Sequence, residues 1–445
     1  MKLIFYLIGF LLQGLIWVGL LIGLSACDAA PEETAGAPTV TPKVAQKTPQ
    51  PAPLRVNVFL EYSGGMKGFV PAGSANRPAT EFQQHVFSLL TETESNSQVT
   101  GRTYQLIYQG KDIRTVSFDK MKRVVQGLET DAADGTELPE MLTSVLGRAN
   151  AASEVSVVIS DFIYGPQDKS KIPFIADEVR GVMALAVSKK LAVAVLAERS
   201  AFVGTYHPAV KTPLKQRQLH GEKIPYYIWV IGPPELVSKY LGRVTIGLPA
   251  EQAYFGFSFP KIAYGAVLTG LPADSNLQPS GNGQVMQATM ESFTALEIEE
   301  VKGGVEFTVG LNLRQLPGVW QEPALLARQL SVQLPNAASA PIIVPGSVQR
   351  LTAAEQATTP ALAAYTHRLR LRLSSLPAGN STLTLMLAAP ETPAWVASWN
   401  TDNDNQPGPA ANTYRLTDIL RGLRGAYPAV LPPAFTVTFS LVNKD

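Results

Sequence analysis

Hydrophobic positions follow a regular alternation between residues 55 and 248. Short, nearly continuous apolar runs at 56–60, 155–159, 191–196 and 226–231, and a weaker one at 104–108, are rich in β-branched and aromatic residues. Such runs are what a strand covered on both faces shows. Between them the spacing turns helical: Phe82, Val86, Leu89 and Leu90 form one stripe, and Thr80 and Gln83 stand where a capping box would start it. Further helices are expected near 118–128, 137–149, 175–189 and 234–244. Strands alternating with helices of this length predict βαβ units, hence an α/β, doubly wound, mostly parallel sheet over 55–248.

From 249 to 445 the period changes to two. Residues 304–311 place an apolar side chain at every second position, and 368–373 reads Arg-Leu-Arg-Leu-Arg-Leu, apolar inward and cationic outward. Similar runs lie at 293–298, 330–334, 383–387 and 435–441, and Leu376-Pro377-Ala378-Gly379-Asn380 is a turn signal. An all-β domain is expected, and its outline resembles an immunoglobulin-like sandwich that lacks the cysteines. Leu416, Ile419, Leu420 and Leu423 make a late helical stripe, expected to close the end of that sandwich.

Ahead of both regions, residues 3–24 carry no charge and one strongly polar side chain, Gln13, with Lys2 before them and Ser25-Ala26-Cys27 after them. The length suits an uncleaved membrane helix, whereas a secretory core is usually about 7–15 residues. Leu24-Ser25-Ala26-Cys27 resembles the lipobox of bacterial lipoproteins. That resemblance implies a signal peptide over 1–26, diacylglyceryl attachment at Cys27 and a membrane partner reached through the lipid anchor. Asp28 resembles an inner-membrane retention signal, with inner and outer membrane left open. Both readings put the rest of the chain in the cell envelope, outside the cytoplasm. Residues 27–54, with prolines at 31, 38, 42, 49, 51 and 53, read as a tether without a core.

Charge and cysteine usage narrow the partners. With 37 Lys and Arg against 36 Asp and Glu, a net charge of +1 over 445 residues offers no footprint for a nucleic acid. One cysteine excludes a disulfide framework, a cysteine-rich zinc site and an iron–sulfur cluster.

In open α/β sheets, ligands bind beyond the carboxyl ends of the strands. The first strand runs into Glu61-Tyr62-Ser63-Gly64-Gly65, the run at 155–159 into Ser160-Asp161-Phe162, and Asp134-Gly135-Thr136 precedes a helix between them. This arrangement resembles the von Willebrand factor type A domain. That family carries Asp-x-Ser-x-Ser after the first strand, a Thr on a middle loop and an Asp after the fourth strand, which together hold a divalent cation that accepts a partner's carboxylate. The resemblance implies Ser63, Thr136 and Asp161 as ligands, with Glu61 in the place of the first Asp, and Mg²⁺ or Mn²⁺ as the cation. The sequence departs from the pattern twice: Glu61 is a methylene longer, and Gly65 supplies no hydroxyl. A degenerate site, whose polar groups only cap loops, is the alternative.

An insertion at 200–224 holds Lys211, Lys215, Arg217 and Lys223, read either as a docking surface for an acidic partner or lipid head groups, or as a solvated loop. Trp395 and Trp399 beside Asp402 and Asp404 suggest a sugar platform, a calcium loop, or tryptophans anchoring a polar turn. No nucleophile elbow, HExxH or phosphate loop is present, and the four histidines sit in no catalytic motif. A non-catalytic module that binds or scaffolds an envelope protein is therefore expected. A metal-dependent ester or phosphoester hydrolase and a structural subunit of a surface or secretion assembly are the alternatives.

Overall fold

The computed structural model describes residues 53–72, 78–109, 112–129, 137–149, 153–164, 168–244, 248–287, 294–299, 303–406 and 412–444. The apolar N-terminal run, Cys27, nearly all of the tether and Thr136 lie outside these residues. No helix among the described residues is long and apolar enough to cross a membrane.

Seven strands form the first sheet: β1 (Leu54–Glu61), β2 (Val99–Gln109), β3 (Asp112–Val116), β4 (Glu154–Ser160), β5 (Ala192–Tyr206), β6 (Arg217–Gly232) and β7 (Glu251–Phe255). Their spatial order is β3-β2-β1-β4-β6-β5-β7. β1 runs parallel to both β2 and β4, and the other neighbours are antiparallel. The parallel order expected from the sequence thus holds for β2, β1 and β4, and the sheet as a whole is mixed. β6 returns from β5 as a hairpin and inserts between β5 and β4. Burial on both faces, which sets the composition of these strands, is the same for either direction.

Five helices cover this sheet: α1 (Glu81–Ser95), α2 (Phe118–Val125), α3 (Leu138–Arg148), α4 (Ile175–Ser188) and α5 (Pro234–Leu241). The Thr80–Gln83 capping box starts α1 as expected. Successive strand side chains point to opposite faces. Val56, Val58 and Leu60 of β1 accordingly pack with α1, α2 and α5, and Phe59 packs with α3 and α4.

The C-terminal strands are β8 (Ala263–Val267), β9 (Gln284–Gln287), β10 (Ala295–Glu299), β11 (Val305–Asn312), β12 (Leu330–Gln333), β13 (His367–Leu373), β14 (Gly379–Leu387) and β15 (Phe435–Asn443). They build one sheet ordered β9-β10-β15-β14-β12 and a second containing β13-β11-β8. Apart from β10 with β15, the pairs of these strands are antiparallel. Every second residue of β11 and β13 enters one core with Leu383, Leu385, Val437 and Phe439, and the Phe307 and Phe439 rings stand 6.4 Å apart. The cationic face is only partly outward. Arg370 is buried, where it donates to the Gln278 carbonyl, the Ser280 hydroxyl and the Glu306 carboxylate.

The boundary expected between 248 and 249 is crossed twice. β7 pairs with β5 at the edge of the first sheet. Far downstream, helix α6 (Leu416–Ala426) packs on α4, so the stripe expected to close the sandwich covers the α/β layer instead. Contact there is close: a Cβ on Gly422 would come within 2.4 Å of the Ala176 carbonyl oxygen. Tyr254, Phe257 and Phe259 surround Trp320 at ring distances of 5.3, 5.7 and 6.3 Å, and they carry one apolar core from the first sheet into the other two.

Candidate functional site

β1 and β4 are parallel neighbours, so their carboxyl ends open at the same edge and deliver Glu61, Ser63, Ser160 and Asp161 together. Glu61, Ser63 and Asp161 are only 6, 2 and 7% exposed. The Ser160 hydroxyl donates to Glu61 Oε2 and accepts from the Phe162 N–H at 2.9 Å. Asp161 Oδ1 accepts from the Ile163 N–H at 3.0 Å. Gly65 belongs to the same cluster: a Cβ built on it would lie 3.4 Å from Asp161 Oδ2 and 3.5 Å from Ser63 Oγ. The backbone is strained beside the acids, since Phe162 holds φ at 52°, a conformation that costs a side-chain-bearing residue on the order of 1–3 kcal/mol. Its ring stacks on Trp229 at 4.6 Å, which holds the residue in place.

Burial raises the pKa of both carboxyls. For Glu61, hydrogen bonds from Ser160 and Ser63 oppose that rise. For Asp161, the nearby Glu61 and then Asp404 add to it, and the Ile163 N–H opposes it. Among the described residues, the groups that act on the pair are hydroxyls, a backbone N–H and other acids, with no cation among them.

Asp404 was legible in the sequence only as part of the tryptophan-rich loop. It is 3% exposed; its Oδ2 accepts from the Ala209 N–H at 2.7 Å and the Tyr206 hydroxyl at 3.2 Å, and its Oδ1 from the Val210 N–H at 3.0 Å. Asn405 donates to the carbonyls of Val210 and Leu214 at 2.8 and 2.6 Å. The tryptophans of this loop are anchors: Trp395 is buried and donates to the Gln252 carbonyl, and the Arg199 guanidinium lies 4.2 Å above the Trp399 ring. These contacts favour the polar-turn reading over the sugar platform or calcium loop.

The segment read as an insertion is the outer part of the β5–β6 hairpin. β6 is antiparallel to β4 with Ser160 opposite Tyr227, so the arms at 200–206 and 217–224 project past the edge where the acids lie. The β5 arm rests on the turn that carries Gly65, with Phe202 and Phe69 at a ring distance of 5.1 Å. Three of the four basic residues singled out there are engaged within the chain. Lys211 donates to the Pro208 carbonyl, Arg217 to the Gln406 carbonyl, and Lys223 pairs with Glu81. Lys215 is exposed.

The histidines lie elsewhere. His85 pairs with Glu198, His367 is buried between Thr366 and the Gln321 carbonyl, and His207 and His220 are exposed on the hairpin. Among the described residues, no group of three His, Cys, Asp or Glu side chains is arranged to hold a metal ion. The oxygens gathered at the edge are nevertheless of the hard kind that Mg²⁺ and Mn²⁺ take, and a cation there would favour the ionised forms of the two acids against the effect of burial. What the described residues would offer such a cation is two carboxylates and a hydroxyl, from Glu61, Asp161 and Ser63. No family model matches the chain, and no curated protein matches it.

Proposed function

We propose that the chain is a lipid-anchored envelope protein that binds or scaffolds another protein through a von Willebrand factor type A-like layer, with an immunoglobulin-like pair of sheets behind it. The observation that carries this reading is the placement of Glu61, Ser63 and Asp161, with the backbone of Gly65 beside them, at one strand edge. Asp161 also follows the fourth strand, where the resemblance calls for it. In this reading those three residues, with Thr136, hold a divalent cation. The bound cation supplies positive charge to anchor a partner's carboxylate. Ser160 orients Glu61, and the Ile163 N–H fixes one oxygen of Asp161 while the other lies beside Gly65.

The test is a thermal-unfolding titration of the detergent-solubilised chain with Mg²⁺, Mn²⁺ and Ca²⁺, beside Asp161→Ala. A cation at about 100 times its dissociation constant adds about 2.7 kcal/mol of stability. The expected result is an upward shift of the midpoint that the variant loses. An unchanged midpoint with all three cations overturns the metal site, and with it the proposed mode of partner binding.

A further inference from the structure

We propose that the outer β5–β6 hairpin is a lid over the Glu61–Asp161 edge, and that Asp404 and Asn405 are its latch. This rests on the strand-edge reading and adds a control of access to it. The site residues are almost fully buried, the β5 arm packs on the turn that carries Gly65, and Tyr206 of that arm and its partner Asp404 lie within electrostatic range of Asp161.

Three observations separate the lid from an ordinary sheet extension. First, the pairing of the two arms is irregular beyond the point where they leave β7 and β4. The pairing register shifts between Phe202 and Val203, and a glycine on each arm holds a positive φ, Gly204 at 137° and Gly221 at 124°. A Cβ on Gly221 would meet nothing within 4 Å, and one on Gly204 only the Gly68 Cα at 3.8 Å, so conformation and not space calls for glycine. A bulge with glycines is the usual way to bend a pair of strands.

Second, apolar anchorage of the tip beyond Tyr206 is confined to its start, where Ala209 and Val210 pack against the core. Residues 211–216 are all exposed, Leu214 among them at 52%. Third, the tip is held by side chains far away in the sequence: Asp404 takes the two N–H groups of Ala209 and Val210, and Asn405 takes the carbonyls of Val210 and Leu214. The Tyr206 hydroxyl on Asp404 and Arg217 on the Gln406 carbonyl complete the latch. Two adjacent residues thus hold, through backbone groups, a tip whose outer residues face solvent. Segments with few apolar contacts are the ones that open locally without global unfolding.

The test is hydrogen–deuterium exchange of the full chain in detergent without added cation, comparing wild type with Asp404→Ala and with Asn405→Ala. Expected is at least a tenfold faster exchange at 203–217 in Asp404→Ala, a smaller gain in Asn405→Ala, and unchanged protection in β1 and β4. Unchanged exchange at 203–217 overturns the lid. So does faster exchange that spreads equally through β1 and β4, because the hairpin would then open only with the whole fold. Should Asp404→Ala fail to fold, Asn405→Ala alone decides on the same two criteria. Because no cation is present, failure of the metal titration counts against the site reading, and failure of selective exchange counts against the lid.

Discussion

At the scale of single residues, the edge that gathers Glu61, Ser63 and Asp161 carries a glycine, Gly65, in its midst. Gly65 sits where a hydroxyl would reach both Asp161 and Ser63, in ordinary van der Waals contact and with no left-handed φ to forbid a side chain. Gly65→Ser is therefore expected to fold, to gain on the order of 0.4–1 kcal/mol from the stiffer unfolded chain, and to tighten Mn²⁺ binding several-fold. Unfolding midpoints and Mn²⁺ titration check both parts. A second residue-scale expectation concerns His367, whose pKa is lowered chiefly by burial, against the pull of its bond to the Gln321 carbonyl. Its folded value lies below the unfolded one, so the unfolded chain takes the proton first as pH falls. Stability from this group is full above about pH 6.5 and is lost below it. Unfolding midpoints between pH 8 and 5 should show a fall that His367→Gln flattens.

At the scale of elements, strand and helix positions were legible because burial imposes period, and period is written in the residue types. Thr80 and Gln83 even located the first turn of α1. Strand direction was not legible: Tyr226–Ile231 reads alike whether it runs with β4 or against it. The hairpin was misread because its basic residues look like a solvated loop, whereas Phe202, Tyr206, Leu219 and Ile224 are the buried positions that continue the ladder. Thr136 and Cys27 lie outside the described residues. The destination of α6 was hidden because an apolar stripe says that a helix is covered, not by what. Its glycines make that contact testable. Gly422→Ala drives a methyl into the Ala176 carbonyl and Val179, and is expected to cost about 1–3 kcal/mol. Gly425, exposed and nearest to Arg180 at 3.4 Å, should tolerate alanine and gain up to about 1 kcal/mol in helix propensity. Chemical denaturation of the two variants checks the opposite signs.

At the scale of the whole molecule, β7 and α6 come from beyond residue 248 and yet finish the first sheet and its outer layer. One apolar core runs from α1, α2 and α5 into both C-terminal sheets. Calorimetry of the chain is therefore expected to show a single cooperative transition for residues 53–444. A fragment ending at 248 should expose the apolar faces of α4 and β5 and bind a hydrophobic dye. Two separated transitions, with a folded fragment, would show that the halves are independent after all. The cover of α4 by α6 also sets a schedule. A chain made from its amino terminus at roughly 5–20 residues per second would leave α4 without α6 for on the order of tens of seconds. Over that interval the face of α4 that α6 comes to cover stays open to solvent and to other chains.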